Sequence, residues 1–166
     1  MELKTKRLLL REYTPDDWSR VHIYAAVPEF TQYEMWGPNS EAMTKKFIAD
    51  AIVKSQRQAR YQYELAVCLK DENLQIGGCG LRKETEASSI ANLGWAMNPE
   101  FQNKGYTTEA AKAIIEYGFS ELRLAVLYAT CDTRNVPSQK VMEKLGMKRV
   151  RKTIGDRKID GKILDS

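Results

Sequence analysis

The chain has 166 residues, 43% hydrophobic and 29% charged, the composition of an ordinary globular domain that buries about two-thirds of its unfolded surface without staples. A formal net charge of +4 favours an anionic ligand yet falls short of a nucleic-acid signature; the basic stretch 144–158, with Lys148, Arg149, Arg151, Lys152, Arg157 and Lys158, has no aromatic residue interleaved for base stacking. No run approaches the roughly 18 apolar residues of a membrane span, and Cys68, Cys79 and Cys131 are an odd, dispersed set without CxxC spacing, so the expectation is a cytoplasmic protein with neither disulfides nor metal.

Residues 3–13, leucine-rich and loosely alternating, predict an opening strand, and Thr14-Pro15-Asp16-Asp17-Trp18 predicts a helix start with acidic residues in its first turn. His22, the sole histidine, falls in that helix and reads as a packing or surface residue. Residues 30–39 form an aromatic connector with Tyr33, Trp36, Gly37 and Pro38, readable as a packed turn or as one wall of a pocket. Residues 40–57 carry Met43, Phe47, Ile48, Ala51 and Ile52 at helical spacing. Alternation over 61–69, the polar turn Asp71-Glu72-Asn73 and the run 76–82 predict an antiparallel hairpin. A third strand over 89–97 ends at Asn98-Pro99, because proline cannot donate to a ladder.

Residues 107–122 give the clearest helix, with Ala110, Ala111, Ile114, Ile115, Gly118, Phe119 and Leu122 on one face. A short buried strand over 125–131 follows, then a helix over 136–145 stopped by Gly146, then a strand-like tail. This order predicts a mixed sheet with helices on its faces, without internal repeat or domain boundary.

Gln102-Asn103-Lys104-Gly105-Tyr106-Thr107-Thr108 lies between a strand and a helix, where backbone N–H groups and the positive helix end form an anion site and Gly105 admits close approach. A plain helix start, capped by Thr107 or Thr108 with Glu109, would read the same way. The wider context is more specific. The stretch Leu93-Gly94-Trp95-Ala96-Met97-Asn98-Pro99-Glu100-Phe101-Gln102-Asn103-Lys104-Gly105-Tyr106-Thr107-Thr108-Glu109-Ala110 resembles the acetyl-CoA signature of the GNAT acetyltransferases. The resemblance extends to Arg7-Leu8-Leu9-Leu10-Arg11, Tyr128-Ala129-Thr130-Cys131-Asp132, Asn135-Val136-Pro137-Ser138 and Glu143-Lys144-Leu145-Gly146-Met147, and is nearest the ribosomal-protein N-terminal (Rim-type) acetyltransferases.

That resemblance implies the GNAT acyl-CoA N-acyltransferase fold, α/β of the mixed α+β kind: one domain over 1–166 whose central, mostly antiparallel twisted sheet is splayed at the cofactor site, with helices on both faces. It implies acetyl-CoA as cosubstrate, its pantetheine arm along Trp95, Ala96 and Met97, with a backbone N–H near Trp95 polarising the thioester carbonyl. The pyrophosphate would lie on the N–H groups of Asn103, Lys104, Gly105, Tyr106, Thr107 and Thr108, with Gln102 and Lys104 flanking. Thr107 departs from the signature, which has glycine or alanine there; a threonine either crowds the phosphate or adds a hydroxyl to it. Asn135 and Ser138 resemble the family's Asn-x-x-Ser, the amide on the cofactor and the hydroxyl near the sulfur, although Asn135 also reads as a plain N-cap. On a helix face with Val141, Met142 and Leu145, Ser138 is expected to point toward the sheet. Many relatives carry a tyrosine acid one turn along this helix; Val141 and Met142 stand there, which leaves Ser138 or a water to protonate the thiolate.

Relatives often place a glutamate base on the strand before the phosphate turn, where this chain has Ala91 and Asn92, so Glu64 on a neighbouring strand is the candidate base and the amine is expected to enter past Tyr33, Trp36 and Glu64. An attacking amine must be neutral: near pH 7.5 an α-amine of pKa about 7.8 is roughly one-third neutral, a lysine of pKa about 10.4 only about 0.1%. A site without a strong base therefore points to the N-terminal α-amine of a protein or peptide. The rival readings are acetylation of a small-molecule amine (antibiotic, polyamine or amino acid), a catalytically silent acyl-CoA-binding module, and a nucleic-acid binder. Monomer or homodimer, with neither nucleic-acid nor membrane partner, is the expectation. Residues 160–166 resemble the turn into the family's closing strand, so that strand is expected to be missing and a sheet edge exposed.

Overall fold

The computed structural model describes residues 1–155, the backbone of 157–159 and 162–164, and Asp165. In chain order the elements are β1 (Glu2–Lys4), β2 (Leu8–Glu12), α1 (Asp17–Ala25), α2 (Pro28–Thr31), α3 (Glu41–Ser55), β3 (Gln62–Leu69), β4 (Leu74–Lys83), β5 (Ile90–Met97), α4 (Tyr106–Ser120), β6 (Val126–Tyr128), α5 (Val136–Lys144), β7 (Arg157–Ile159) and β8 (Lys162–Leu164). The first six strands form one sheet in sequence order, antiparallel from β1 through β5 and parallel between β5 and β6. This is the mixed, mostly antiparallel sheet that the sequence predicts.

Period-two alternation divides the core between the two faces of the sheet. Tyr63, Leu65 and Val67 of β3 pack with Leu8, Leu10, Leu81 and Leu93 against Ala110, Ala111 and Ile114 of α4. Ala66 and Cys68 turn the other way, onto Tyr13, Val21, Tyr24, Ile48 and Ala51 beneath α1 and α3. Ser40 starts α3 by accepting the Met43 N–H at 3.3 Å, the cap that orients this helix over the sheet.

Several expectations are corrected. The opening strand is a hairpin: Thr5 N–H donates to the Leu8 carbonyl and Leu8 N–H to Thr5 Oγ1, both at 2.9 Å, folding the chain back so that Glu2 faces Arg11. The short α2, begun by Pro28, whose fixed φ suits a first helical turn, precedes the aromatic connector and takes in its first two residues, Phe30 and Thr31. The strand expected over 125–131 shortens to β6, and Val126 and Tyr128 are exposed because β6 is the sheet edge, beside β5 only at Ile90, Ala91 and Asn92. Phe119 is exposed as well, since the buried stripe of α4 runs Ala110, Ala111, Ile114 and Gly118. No residue of α5 is fully buried; Ser138, Val141 and Met142 are its half-buried side. β7 and β8 pair as a separate hairpin, and Asp160, Gly161 and Ser166, on which the missing-strand expectation rests, lie outside the described residues. Among the described residues no helix is long and apolar enough to cross a membrane.

Candidate active site

β5 runs on to Met97 beside β4 after β6 has left it at Asn92. The Ser89 carbonyl accepts from Ala125 and Val126 on the β6 side, whereas Asn98 N–H donates to Ile76 on the β4 side. Strand alternation between these two points turns the peptide groups of Trp95 and Met97 toward the side β6 has left. The Met97 carbonyl accepts Gln102 Nε2 at 2.9 Å, so Gln102 is turned inward, while the Trp95 N–H and carbonyl face an open edge to which an extended amide chain can add.

Beyond a turn of 3-10 helix at Pro99–Phe101, Asn103 and Gly105 adopt left-handed backbone, φ +60° and +79°. Gly105 is the N-cap of α4, and among the described residues no side chain caps this helix: neither Thr107 nor Thr108 does so. Glu109 is engaged elsewhere, accepting Thr5 Oγ1 at 2.6 Å, Arg7 N–H at 2.9 Å and Arg7 Nε at 2.7 Å. The first-turn N–H groups of Tyr106, Thr107 and Thr108 are thereby left for an anion at the positive helix end. Arg7 braces the turn: its second guanidinium nitrogen donates to the Lys104 carbonyl at 2.9 Å, and the group lies 4.4 Å from the Tyr106 ring centroid. Partial burial pushes the Glu109 carboxyl up, but the hydrogen bonds from Thr5 and Arg7 outweigh it and hold the group below its ordinary range. Lys104 Nζ sits 5.3 Å from the Phe101 ring centroid.

On the opposite face, a cleft of about 480 Å³ opens between the sheet and α1 and α3, with Tyr13, Trp36, Phe47, Glu64, Arg82 and Trp95 among its walls. Its floor is glycine. Glu64, Gly80 and Gly94 stand in one row across β3, β4 and β5. A Cβ on Gly80 would come 2.6 Å from Glu64 Oε2, and one on Gly94 would come 2.7 Å from an Arg82 nitrogen. The bare backbone lets these side chains lie flat on the sheet, where Glu64 accepts Arg82 Nε and Nη2 at 2.5 and 3.0 Å. The Glu64 side chain is 12% exposed, a cleft residue rather than a solvated one. Burial drives the Tyr13 phenol well above the usual tyrosine range and the Cys79 thiol up to about 12.

The structure brings Trp36 and Glu64 to the cleft but not Tyr33, whose ring centroid lies 5.6 Å from the Arg134 guanidinium. Asn135 caps α5, its Oδ1 accepting the Ser138 N–H at 3.2 Å; Ser138 is half-buried and not among the cleft walls. The turn before α5 is tied by fully buried Asp132, which accepts Arg134 N and Nε at 2.8 and 2.7 Å. Those bonds hold the Asp132 carboxyl down at about 2. Sequence reasoning passed over Tyr13, Arg82 and the bracing role of Arg7. Glycines inside strands, at 78, 80 and 94, were the available signal, since they mark places where another group lies against the backbone.

The open strand edge and the start of α4 beside it lie within residues 7–148, which the acetyltransferase (GNAT) domain model matches. The chain belongs to the GNAT acetyltransferase family and is an N-acetyltransferase. The uncharacterized N-acetyltransferase YnaD of Bacillus subtilis is 38% identical to it over 149 residues, covering 90% of this chain and 84% of that one. A GNAT acetyltransferase from Bacillus anthracis superposes with a TM-score of 0.87 at 32% identity, over 99% of this chain and 94% of that one. A ribosomal L7/L12 α-N-protein acetyltransferase in complex with coenzyme A superposes with a TM-score of 0.84 over 99% and 94% of the two chains; at 16% identity that likeness concerns the fold alone.

Proposed function

We propose that the enzyme transfers acetyl from acetyl-CoA to the N-terminal α-amine of a protein or peptide, as ribosomal-protein acetyltransferases do. The acceptor assignment is carried by one observation: both oxygens of Glu64, the carboxylate lying over the glycine floor, are engaged with Arg82. A base so held suits an amine already about one-third neutral near pH 7.5, and suits poorly a lysine that must lose roughly 4 kcal/mol of protonation.

In this reading the pantetheine arm adds to the edge at Trp95, Ala96 and Met97, and the pyrophosphate lies on the N–H groups of 103–108, with Lys104 and the Asn135 amide beside it. Trp95 N–H bonds the thioester oxygen and strengthens that bond as charge develops, an effect of about 3 kcal/mol on the barrier. The amine enters past Trp36; its lone pair forms the C–N bond, the C–S bond breaks, Glu64 takes the surplus proton through water, and Ser138 passes to the departing thiolate a proton that it regains from water as Glu64 releases its own. Transfer is direct, because a Cys79 thiol held at about 12 is protonated and a poor nucleophile.

The test is acetylation of paired peptides, one with a free N terminus and one with a blocked N terminus and an internal lysine. Rapid product from the first and little from the second is expected; efficient acetylation of the internal lysine would overturn the acceptor assignment.

A further inference from the structure

Tyr13 follows β2 directly and turns its ring into the cleft, edge-on to Phe47 with centroids 5.5 Å apart. The residue is 6% exposed. Its hydroxyl rests over Gly78, where a methyl on the α-carbon would come within 2.4 Å of Oη, so β4 carries no side chain at the spot the hydroxyl occupies. Gly78 stands opposite Ala96 on β5, the neighbour of Trp95 with its outward peptide. The cleft's other buried phenol, Tyr24, accepts Gln75 Nε2 at 3.2 Å, but no hydrogen-bond partner reaches Tyr13 Oη among the described residues. Oη keeps contact with the open cleft, and a polar group left unpartnered at a binding site discriminates in favour of ligands that satisfy it.

We propose that the Tyr13 hydroxyl binds the acceptor: Oη accepts one N–H of the neutral primary amine and leaves the nitrogen lone pair directed past Ala96 toward the thioester carbon. The inference rests on the cleft being the place where the amine enters. Because burial raises the phenol's pKa, the group stays protonated and takes no proton from the amine. Its own O–H remains to donate to an acceptor oxygen, which the first carbonyl of a peptide provides and a polyamine does not. Tyr13 therefore touches the acceptor and leaves the coenzyme alone.

Tyr13→Phe removes the oxygen and keeps the ring against Phe47. Free-N-terminus peptides, blocked lysine peptides and spermidine are assayed by release of coenzyme A, and the variant is compared on whichever amine turns over fastest. The expected result is a kcat/KM for the amine lowered at least threefold, a KM for acetyl-CoA within twofold of wild type, and a melting temperature unchanged or raised, since no intramolecular hydrogen bond is lost. A smaller fall in kcat/KM overturns the inference, and so does a loss explained by lower stability and weaker acetyl-CoA binding together. Should spermidine be the fastest amine, the α-amine assignment fails while Tyr13 is still judged on spermidine.

Discussion

Arg7, in the turn between β1 and β2, grips Glu109 in the first turn of α4 at 2.7 Å and reaches past it to the Lys104 carbonyl at 2.9 Å. One side chain from the start of the chain thus fixes the turn assigned to the pyrophosphate, 97 residues away. Arg7→Ala is expected to weaken coenzyme A binding about tenfold, about 1.4 kcal/mol. Turnover with an acetyl-pantetheine thioester, which lacks the pyrophosphate, should change less than twofold. Equal losses with both donors would make Arg7 a residue of general stability instead.

The two floor glycines differ in what a methyl would meet. At Gly80 it faces the Tyr63 carbonyl at 2.6 Å, a backbone atom that cannot step aside; at Gly94 it faces only the end of the Arg82 side chain. Gly80→Ala should therefore cost about 1–3 kcal/mol of stability, as overpacking does. Gly94→Ala should melt close to wild type yet lower kcat by displacing Arg82 from Glu64. Thermal melts with steady-state kinetics on both variants check this; equal melting temperatures would contradict it.

Asp132 has a folded pKa of about 2, below the ordinary aspartate value of about 3.9. A depressed carboxylate contributes stability that is complete above the unfolded value and is lost as pH falls through the folded one. The gap in melting temperature between wild type and Asp132→Asn should be constant above about pH 5 and close toward pH 2. A gap that persists undiminished at pH 2 would show that Asp132 acts by shape rather than charge.

Cys79 lies in the strand behind the cleft, 3% exposed, with its side chain in the core packed against α4 and its thiol held at about 12 by burial. Direct transfer predicts that Cys79→Ala keeps kcat within about threefold, with only the modest destabilisation of a small cavity. Loss of turnover in a folded variant would point to an acyl-cysteine intermediate.

What the sequence revealed and what it hid follow from the range of the interactions. The turn at 102–108 and the helix Tyr106–Ser120 are local patterns of glycine and period, so they were readable in place. The strand row Glu64, Gly80, Gly94 was half legible: the strands follow from alternation, but their register, which lays Glu64 on bare backbone, depends on pairings made in three dimensions. Arg7 appeared only as part of a resemblance, since its partners Lys104 and Glu109 are remote in sequence. Tyr33 and Trp36 share one connector, and no periodicity distinguishes the ring that enters the cleft from the one that meets Arg134. The exposure of β6 likewise depends on how far it accompanies β5.

The most direct test of the account is calorimetric titration of acetyl-CoA into the wild type and into Gly105→Trp. At φ +79° a tryptophan both strains the backbone and covers the uncapped start of α4. The account predicts binding by the wild type that the variant loses while remaining folded. Equal binding by both proteins, or none by the wild type, would contradict the assignment of the pyrophosphate to this turn.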